Sequence, residues 1–402
     1  QPIAIVGATV HTVRGDVLSE ATVLFDRGRI IEVGRQVELP SGVLKIEAEG
    51  KHLYPGLMDS SSNLGLVEIN AVRSTRDFAE TGNVNPNVRA EKAVNPDSEL
   101  IPVTRCNGVL IGVVTPAGGL ISGRAAVMQW DGWTWEDMTL RADAALQVHW
   151  PRISGPDKED QGKAAVPSGL RSLERELQAA ADYRRAREAE PHLPQDIKLE
   201  SLLPVIDGKV PLLVDADELR QIQSAVAFCA RHRLKLIIQG GYDAAECAEL
   251  LKQHHVPVVV TGVHRLPERR SDPYDAPFTL PARLANAGVR YCIAGSGRFG
   301  GSNVRNLPYH AATAAAYGLD PAEALRAITL YPAEIFGVDK HVGSIEKGKA
   351  ATMFLTDGDI LETPTQVQQA WLNGRDVSLN SRHTRLWQKY QEKYRQLEAE
   401  QK

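Results

Sequence analysis

The sequence predicts an α/β protein: a TIM-like (β/α)8 barrel joined to a small β-domain that both ends of the chain build together. Three observations predict it. Strand patterns crowd residues 1–53 and recur over 343–377, so two β-rich ends flank a long centre. Through that centre short apolar runs alternate with amphipathic helical patterns for roughly 290 residues, where a (β/α)8 barrel takes about 250. No Gly-x-Gly-x-x-Gly fingerprint follows an early strand, which leaves a doubly wound open sheet as the lesser alternative.

In chain order, strand patterns open at residues 3–13, 21–25 and 29–33, with Asp26-Arg27-Gly28 as the tight turn between the last two. Barrel strands are expected at 108–115, 210–215, 234–239, 256–261 and 289–294. Helices fall between them at 216–232, 244–254 and 281–287. A charged helical pattern at 168–190 reads as a barrel helix or a cap. Strands return at 343–356 and 367–377, punctuated by Asp357-Gly358-Asp359 and Asn373-Gly374-Arg375. The organisation is therefore 1–53 plus 343–380 as the β-domain, 54–342 as the barrel and 381–402 as a C-terminal helix. Leu386, Tyr390, Tyr394 and Leu397 form one stripe on that helix, expected to pack on its own domain.

Composition is that of a globular protein, 43% hydrophobic and 24% charged over 402 residues. A formal net charge of −4 excludes a general nucleic-acid binder, and no apolar run approaches the roughly 20 residues that span a bilayer. Four cysteines lack Cys-x-x-Cys spacing, so neither a zinc knuckle nor a redox motif is indicated. Cys229 and Cys292 lie in apolar runs, as buried free thiols do. The sequence opens at Gln1 without methionine, which fits a periplasmic or secreted mature chain, with a cytoplasmic one the alternative.

The run Leu53-Tyr54-Pro55-Gly56-Leu57-Met58-Asp59 resembles the end of the first barrel strand in the amidohydrolase superfamily. The segments Glu323-Ala324-Leu325-Arg326-Ala327, Pro332-Ala333-Glu334-Ile335-Phe336-Gly337 and Val342-Gly343-Ser344-Ile345-Glu346-Lys347-Gly348 resemble its C-terminal signature. The resemblance, closest to the imidazolonepropionase-like, cyclic-amidohydrolase branch, covers nearly the whole chain and is weakest at 66–205. It implies a metal-dependent hydrolase barrel with a composite β-sandwich from both termini. It also implies metal ligands, and here the chain departs. The first two histidines read Ser61 and Asn63. The strand-five histidine reads Asp215, the strand-six histidine Gln239, and the strand-eight aspartate Ser296 or Gly297. The bridging strand-four residue has no clear counterpart, and an acidic residue of the sandwich reads Thr352. A catalytic zinc takes about three protein ligands plus the water it activates, and a hydroxyl and an amide do not replace imidazoles around it.

Other residues offer a rebuilt site. Of eleven histidines, His264 and His310 are placed to face the barrel mouth and His149 less clearly so, while His254 and His255 precede a strand and belong to the opposite face. Asp59, Asp215, Asp217 and Asp243 are expected at the strand ends, as acid–base partners or as a salt-bridge plug in which Asp215 meets Arg298 or Arg305. A set of Ser61, Asn63, Gln239 and Ser296 would satisfy the cavity by mutual hydrogen bonds. The loop 116–124 is a weak anion cradle, and Trp130, Trp133 and Trp135 form a cluster suited to packing or to an interface. The reading is a catalytically inert binding or structural subunit without cofactor, forming a homo-oligomer or pairing with an active amidohydrolase paralogue. The alternative is a hydrolase of cyclic amide, imide or peptide-like C–N bonds, using Asp59, Asp215, His264 or His310 with one divalent ion such as zinc. A third reading is a small-ligand binder that reuses the pocket.

Overall fold

The computed structural model describes residues 1–153, 167–295 and 300–400. Five N-terminal strands, β1 (Ile3–His11), β2 (Val17–Asp26), β3 (Arg29–Gly34), β4 (Leu44–Glu47) and β5 (His52–Pro55), lie in one eight-stranded sheet. Eight barrel strands follow: β6 (Leu57–Ser62), β7 (Val109–Val114), β8 (Ile121–Gln129), β9 (Thr139–His149), β10 (Leu212–Ala216), β11 (Leu236–Gly240), β12 (Val258–Thr261) and β13 (Tyr291–Ala294). The chain then returns to the first sheet with β14 (Met353–Thr356), β15 (Val367–Leu372) and β16 (Arg375–Asp376).

Both ends are stitched together because β14 pairs antiparallel with β5, placing Met353 opposite Pro55 and Leu355 opposite Leu53. Alternation along these strands buries Ile5, Val23 and Phe25 with Met353, Leu355 and Trp371 in a core separate from the barrel's. The sheet curls until its two hairpin turns touch. Gly28 has φ +80°, and a Cβ there would stand 2.8 Å from the carbonyl oxygen of Asn373, so only glycine fits. The hydroxyl of Thr352 accepts the Asn373 amide at 3.2 Å, so this residue serves the sheet.

The barrel runs in chain order from β6 to β13. Strands β9 to β13 are parallel, as the repeated βα pattern predicts. The second, third and fourth strands differ, for β7, β8 and β9 form an antiparallel meander. Its first reversal is the loop taken above as an anion cradle. Gly119 has φ +70°, and the Leu120 and Ile121 amides both donate to the carbonyl oxygen of Asn83, so those donors are already used. The tryptophan cluster also divides: Trp130 is fully buried, Lys92 lies over the Trp135 ring, and Trp133 is exposed.

Between β13 and β6 the barrel closes through two contacts. The Gly295 amide donates to Asp59 Oδ1 at 2.9 Å, and Cys292 Sγ donates to Ser60 Oγ at 3.2 Å. The helix Ser168–Ala189 buries Leu170, Leu173 and Leu177 and is tied to the helix Ile197–Ile206 by the Tyr183 hydroxyl on Glu200 at 2.8 Å. The C-terminal helix Arg382–Glu400 departs from expectation, because its Leu386, Tyr390, Tyr394 and Leu397 stripe is exposed. No helix among the described residues is long and apolar enough to cross a membrane.

Gly112 on β7 faces the Trp130 indole, and a Cβ there would lie 2.5 Å from the ring. Gly112→Ala is therefore expected to lose about 1–3 kcal/mol by overpacking. Trp130→Ala is expected to lose about 3–5 kcal/mol through the cavity it leaves. Urea unfolding of both variants checks the pair, and a neutral Gly112→Ala would show that the ring is not held against β7.

Candidate binding site at the barrel mouth

Parallel register decides which side chains meet. His149 pairs with Asp215 across β9 and β10, and Asp215 pairs with Gln239 across β10 and β11, so the three share a face. His149 Nδ1 lies 3.0 Å from Asp215 Oδ2, and both side chains are partly exposed. Strand β9 directly precedes β10, so His149 ends the fourth strand, the position the sequence left unassigned. Its signal was the Val148-His149-Trp150 run, hidden because the meander breaks the βα rhythm on which strand counting relies.

Asp59 is wholly buried. Oδ1 accepts from Gly295 N, and from Ser61 N at 3.4 Å; Oδ2 has no partner among the described residues. Desolvation raises its pKa to about 8, against the lowering by amide donors from Ser61, Gly295 and Ser60. Asp59 thus carries a proton at neutral pH and is no general base there.

Of the neutral set expected to bond mutually, Ser61, Asn63 and Gln239 are described and Ser296 is not. Asn63 Oδ1, Gln239 Oε1 and both polar atoms of Gln147, two residues before His149, are buried with no hydrogen-bond partner among the described residues. Ser296 and Arg298 lie outside the described residues. The groups that remain can accept or donate to water or a polar ligand.

An arginine plug is present, on other carboxylates than foreseen. Arg269 forms a two-pronged pair with Asp243, whose Oδ2 also accepts Leu219 N at 3.0 Å, where the helix Leu219–His232 begins. Arg265 reaches Asp217 at 3.4 Å, and Asp217 Oδ1 accepts Tyr242 N at 3.1 Å. Both guanidinium groups lie over the Tyr242 ring, at 5.0 and 5.7 Å from its centre. Gly240 makes room for this network, since a Cβ there would fall 2.8 Å from Asp217 Oδ1. Among the described residues Asp215 pairs with His149 and with no arginine, and Arg305 contributes its carbonyl oxygen to Asn107. Beneath the Arg265–Arg269 segment lies a polar cavity of about 430 Å³, lined by His149, Asp215, Asp217, Gln221, Tyr242 and Arg269 among others.

His264 and His310 do not join a carboxylate. Their rings stack at 4.2 Å, His310 Nδ1 accepts the His264 amide at 3.3 Å, and His264 Nε2 meets Thr313 Oγ1 at 2.7 Å. Burial, then the neighbouring His264, lowers the His310 pKa to about 3; burial lowers that of His264 too. Both are neutral packing groups. His254 and His255 lie at the opposite face, beside the start of β12, on a cavity they share with Lys235 and Arg141.

These donors do not fit the catalytic zinc implied by the resemblance. Among the described residues no three His, Cys, Asp or Glu side chains converge as a metal group. Asp59 spends one oxygen on the barrel seam and holds a proton, and the one imidazole–carboxylate pair at the mouth is bonded to itself.

The Amidohydrolase family model matches residues 209–378. An amidohydrolase structure from Thermotoga maritima MSB8 superposes with a TM-score of 0.83 at 23% identity, covering 94% of this chain and 99% of that one. Amidohydrolase tasK of Hapsidospora irregularis is 22% identical over 400 residues, 88% of this chain and 39% of its own length. A putative N-acetylgalactosamine-6-phosphate deacetylase of Escherichia coli (strain K12) is 38% identical over 61 residues, 15% of this chain and 34% of the relative. By these matches the chain carries a segment of the amidohydrolase family at 209–378 within a fold it shares with an amidohydrolase structure. It spans less than half the length of these curated relatives.

Two predictions follow from the carboxylates. The folded Asp59 keeps a proton that the unfolded chain releases near pH 4, so its contribution to stability falls as pH rises from about 4 to 8. Asp59→Asn keeps an oxygen for Gly295 and cannot ionise. The stability difference between variant and wild type, from urea unfolding, is expected to move in favour of the variant between pH 5 and 8; a difference independent of pH contradicts the protonated carboxyl. Arg269→Ala leaves buried Asp243 without its counter-charge. With Arg269 itself half exposed, the expected loss is about 2 kcal/mol in unfolding free energy, more than Asp243→Asn costs.

Proposed function

We propose that this chain is a metal-independent member of its superfamily, a binding or structural subunit whose barrel mouth holds a polar ligand or water in place of a catalytic ion. One observation carries the reading: the carboxyl of Asp59 closes the barrel on Gly295 while Ser61 and Asn63 follow it on the strand. The buried, unpartnered amides of Asn63, Gln147 and Gln239 support a polar occupant. Neutral donors and acceptors of this kind recognise an uncharged polar molecule such as an amide or a sugar. A subunit of this kind works beside an active amidohydrolase or a second copy of itself.

A second reading rests on His149 and Asp215. A carboxylate on Nδ1 orients an imidazole so that Nε2 can take a proton from water, and the pair opens on the 430 Å³ cavity. In that reading His149 is the general base of a C–N bond hydrolase acting on cyclic amides or peptide-like amides.

The two readings separate in one preparation. Protein isolated from its source without added metal is analysed by native mass spectrometry and by metal analysis, then assayed on cyclic imides and dipeptides beside His149→Gln. The first reading expects no stoichiometric ion and no turnover that His149→Gln removes. A single zinc per chain, or hydrolysis abolished by His149→Gln, overturns it.

A further inference from the structure

The face of the barrel opposite the mouth, where side chains ordinarily serve stability, is hollow here. A cavity of about 450 Å³ opens under the starts of β10 to β13, between the helix Leu219–His232 and the helix Leu330–Ile335. Its wall is apolar: Val226, Cys229, Ile237 and Val256 all line it, and all are buried. Its rim is basic. Arg141, Lys209, Lys235 and Arg290 line the same space against one carboxylate, Glu334.

These charges do not cancel within the cavity. Glu334 gives one oxygen to Arg290 at 3.0 Å and the other to Arg14 at 3.1 Å, so both are taken. Lys209 lies 3.2 Å from Asp207, which also holds Arg184. Among the described residues neither Arg141 nor Lys235 pairs with a carboxylate. The side chain of Arg141 makes one hydrogen bond there, from Nη1 to the Phe336 carbonyl oxygen at 2.8 Å. Gly337, at φ +66°, makes room for it, because a Cβ at that position would run into the same nitrogen. The guanidinium is thus fixed at one nitrogen with N–H donors left over. The chain as a whole has a formal net charge of −4, so four cations around one cavity are a local concentration. An arginine held in this way presents a planar fork that matches carboxylate or phosphate oxygens, and the apolar wall beside it selects a ligand larger than a bare ion.

We propose that this cavity is a second ligand site that takes a small organic anion. Its carboxylate or phosphate group meets Arg141, with Lys235 and Arg290 around it, and its compact apolar body lies against Cys229, Ile237 and Val256. The site is independent of what the mouth holds. One strand spans the two, since β9 runs from Arg141 at this cavity to His149 on the cavity of the mouth.

Isothermal titration calorimetry of the full chain with phenyl phosphate, phenylacetate and the neutral phenylacetamide tests it. One anion or both are expected to bind at one per chain, and the tighter of the two identifies the headgroup. The amide is expected not to bind. Each anion that binds is expected to exceed its bare counterpart, inorganic phosphate or acetate, which lacks the apolar body. Arg141→Gln is expected to raise the dissociation constant about thirtyfold, as the loss of a charge-assisted pair does. Lys235 is exposed, so Lys235→Glu is expected to leave circular dichroism and unfolding unchanged while raising the constant about tenfold by reversing a charge. That variant keeps the test independent of any folding defect in Arg141→Gln. No heat from either anion at millimolar concentration, equal binding of the amide, or binding that Lys235→Glu and a folded Arg141→Gln leave unchanged overturns the site. A bare ion that binds as tightly as its phenyl counterpart overturns the apolar half of the proposal.

Discussion

Closure of the barrel between its first and last strands centres on one buried carboxyl, with the Cys292–Ser60 contact beside it. No ladder hydrogen bonds join β6 to β13 among the described residues, and Asp59 bridges the gap by accepting the Gly295 amide. A carboxylate stripped of water is costly there, and among the described residues no cationic side chain pairs with Asp59. The group keeps its proton instead, and burial is the dominant cause. Seam closure and the raised pKa of Asp59 thus share one cause, its burial between β6 and β13.

The rest of the mouth is arranged around the same economy of charge. Asp217 and Asp243 are held by arginines from the segment after β12, whose two guanidinium groups both lie over the Tyr242 ring. Asp217 needs the space that Gly240 leaves, and Asp243 uses its second oxygen at a helix start. The cavity itself is lined by the His149–Asp215 pair with Asp217, Glu218, Gln221, Tyr242 and Arg269 among others. The amide oxygens of Asn63, Gln147 and Gln239 are buried with no partner among the described residues.

Much of this was legible in the sequence, for reasons that can be named. Period-two alternation and the Asp26-Arg27-Gly28 turn gave the first sheet, and the C-terminal motifs gave its return strands, because both depend on local chemistry. The parallel strands β10 to β13 were legible as apolar runs between helices. Of the meander, β7 was read as the run at 108–115, but β8, β9 and their antiparallel connections were not, since a buried antiparallel strand and a buried parallel one read alike until their connections are known. Losing that strand count left His149 a weaker candidate, without its place at the end of the fourth strand. His264 and His310 were placed near the mouth by chain position alone, and only packing shows them stacked on each other, with no carboxylate. The arginine plug was anticipated in kind, but Arg265 and Arg269 lie in a loop where pairing is set by three-dimensional proximity. The C-terminal stripe was read as core because amphipathic helices usually face their own domain, and here the stripe faces out.

The protonation of Asp59 is the most direct measure of this account. Infrared difference spectroscopy of wild type against Asp59→Asn, near neutral pH and with zinc then added, reads the carboxyl itself. The account expects a protonated C=O band that the substitution removes and that zinc leaves unmoved. A carboxylate band at neutral pH, shifting when zinc is added, would contradict it and return Asp59 to the role of a metal ligand.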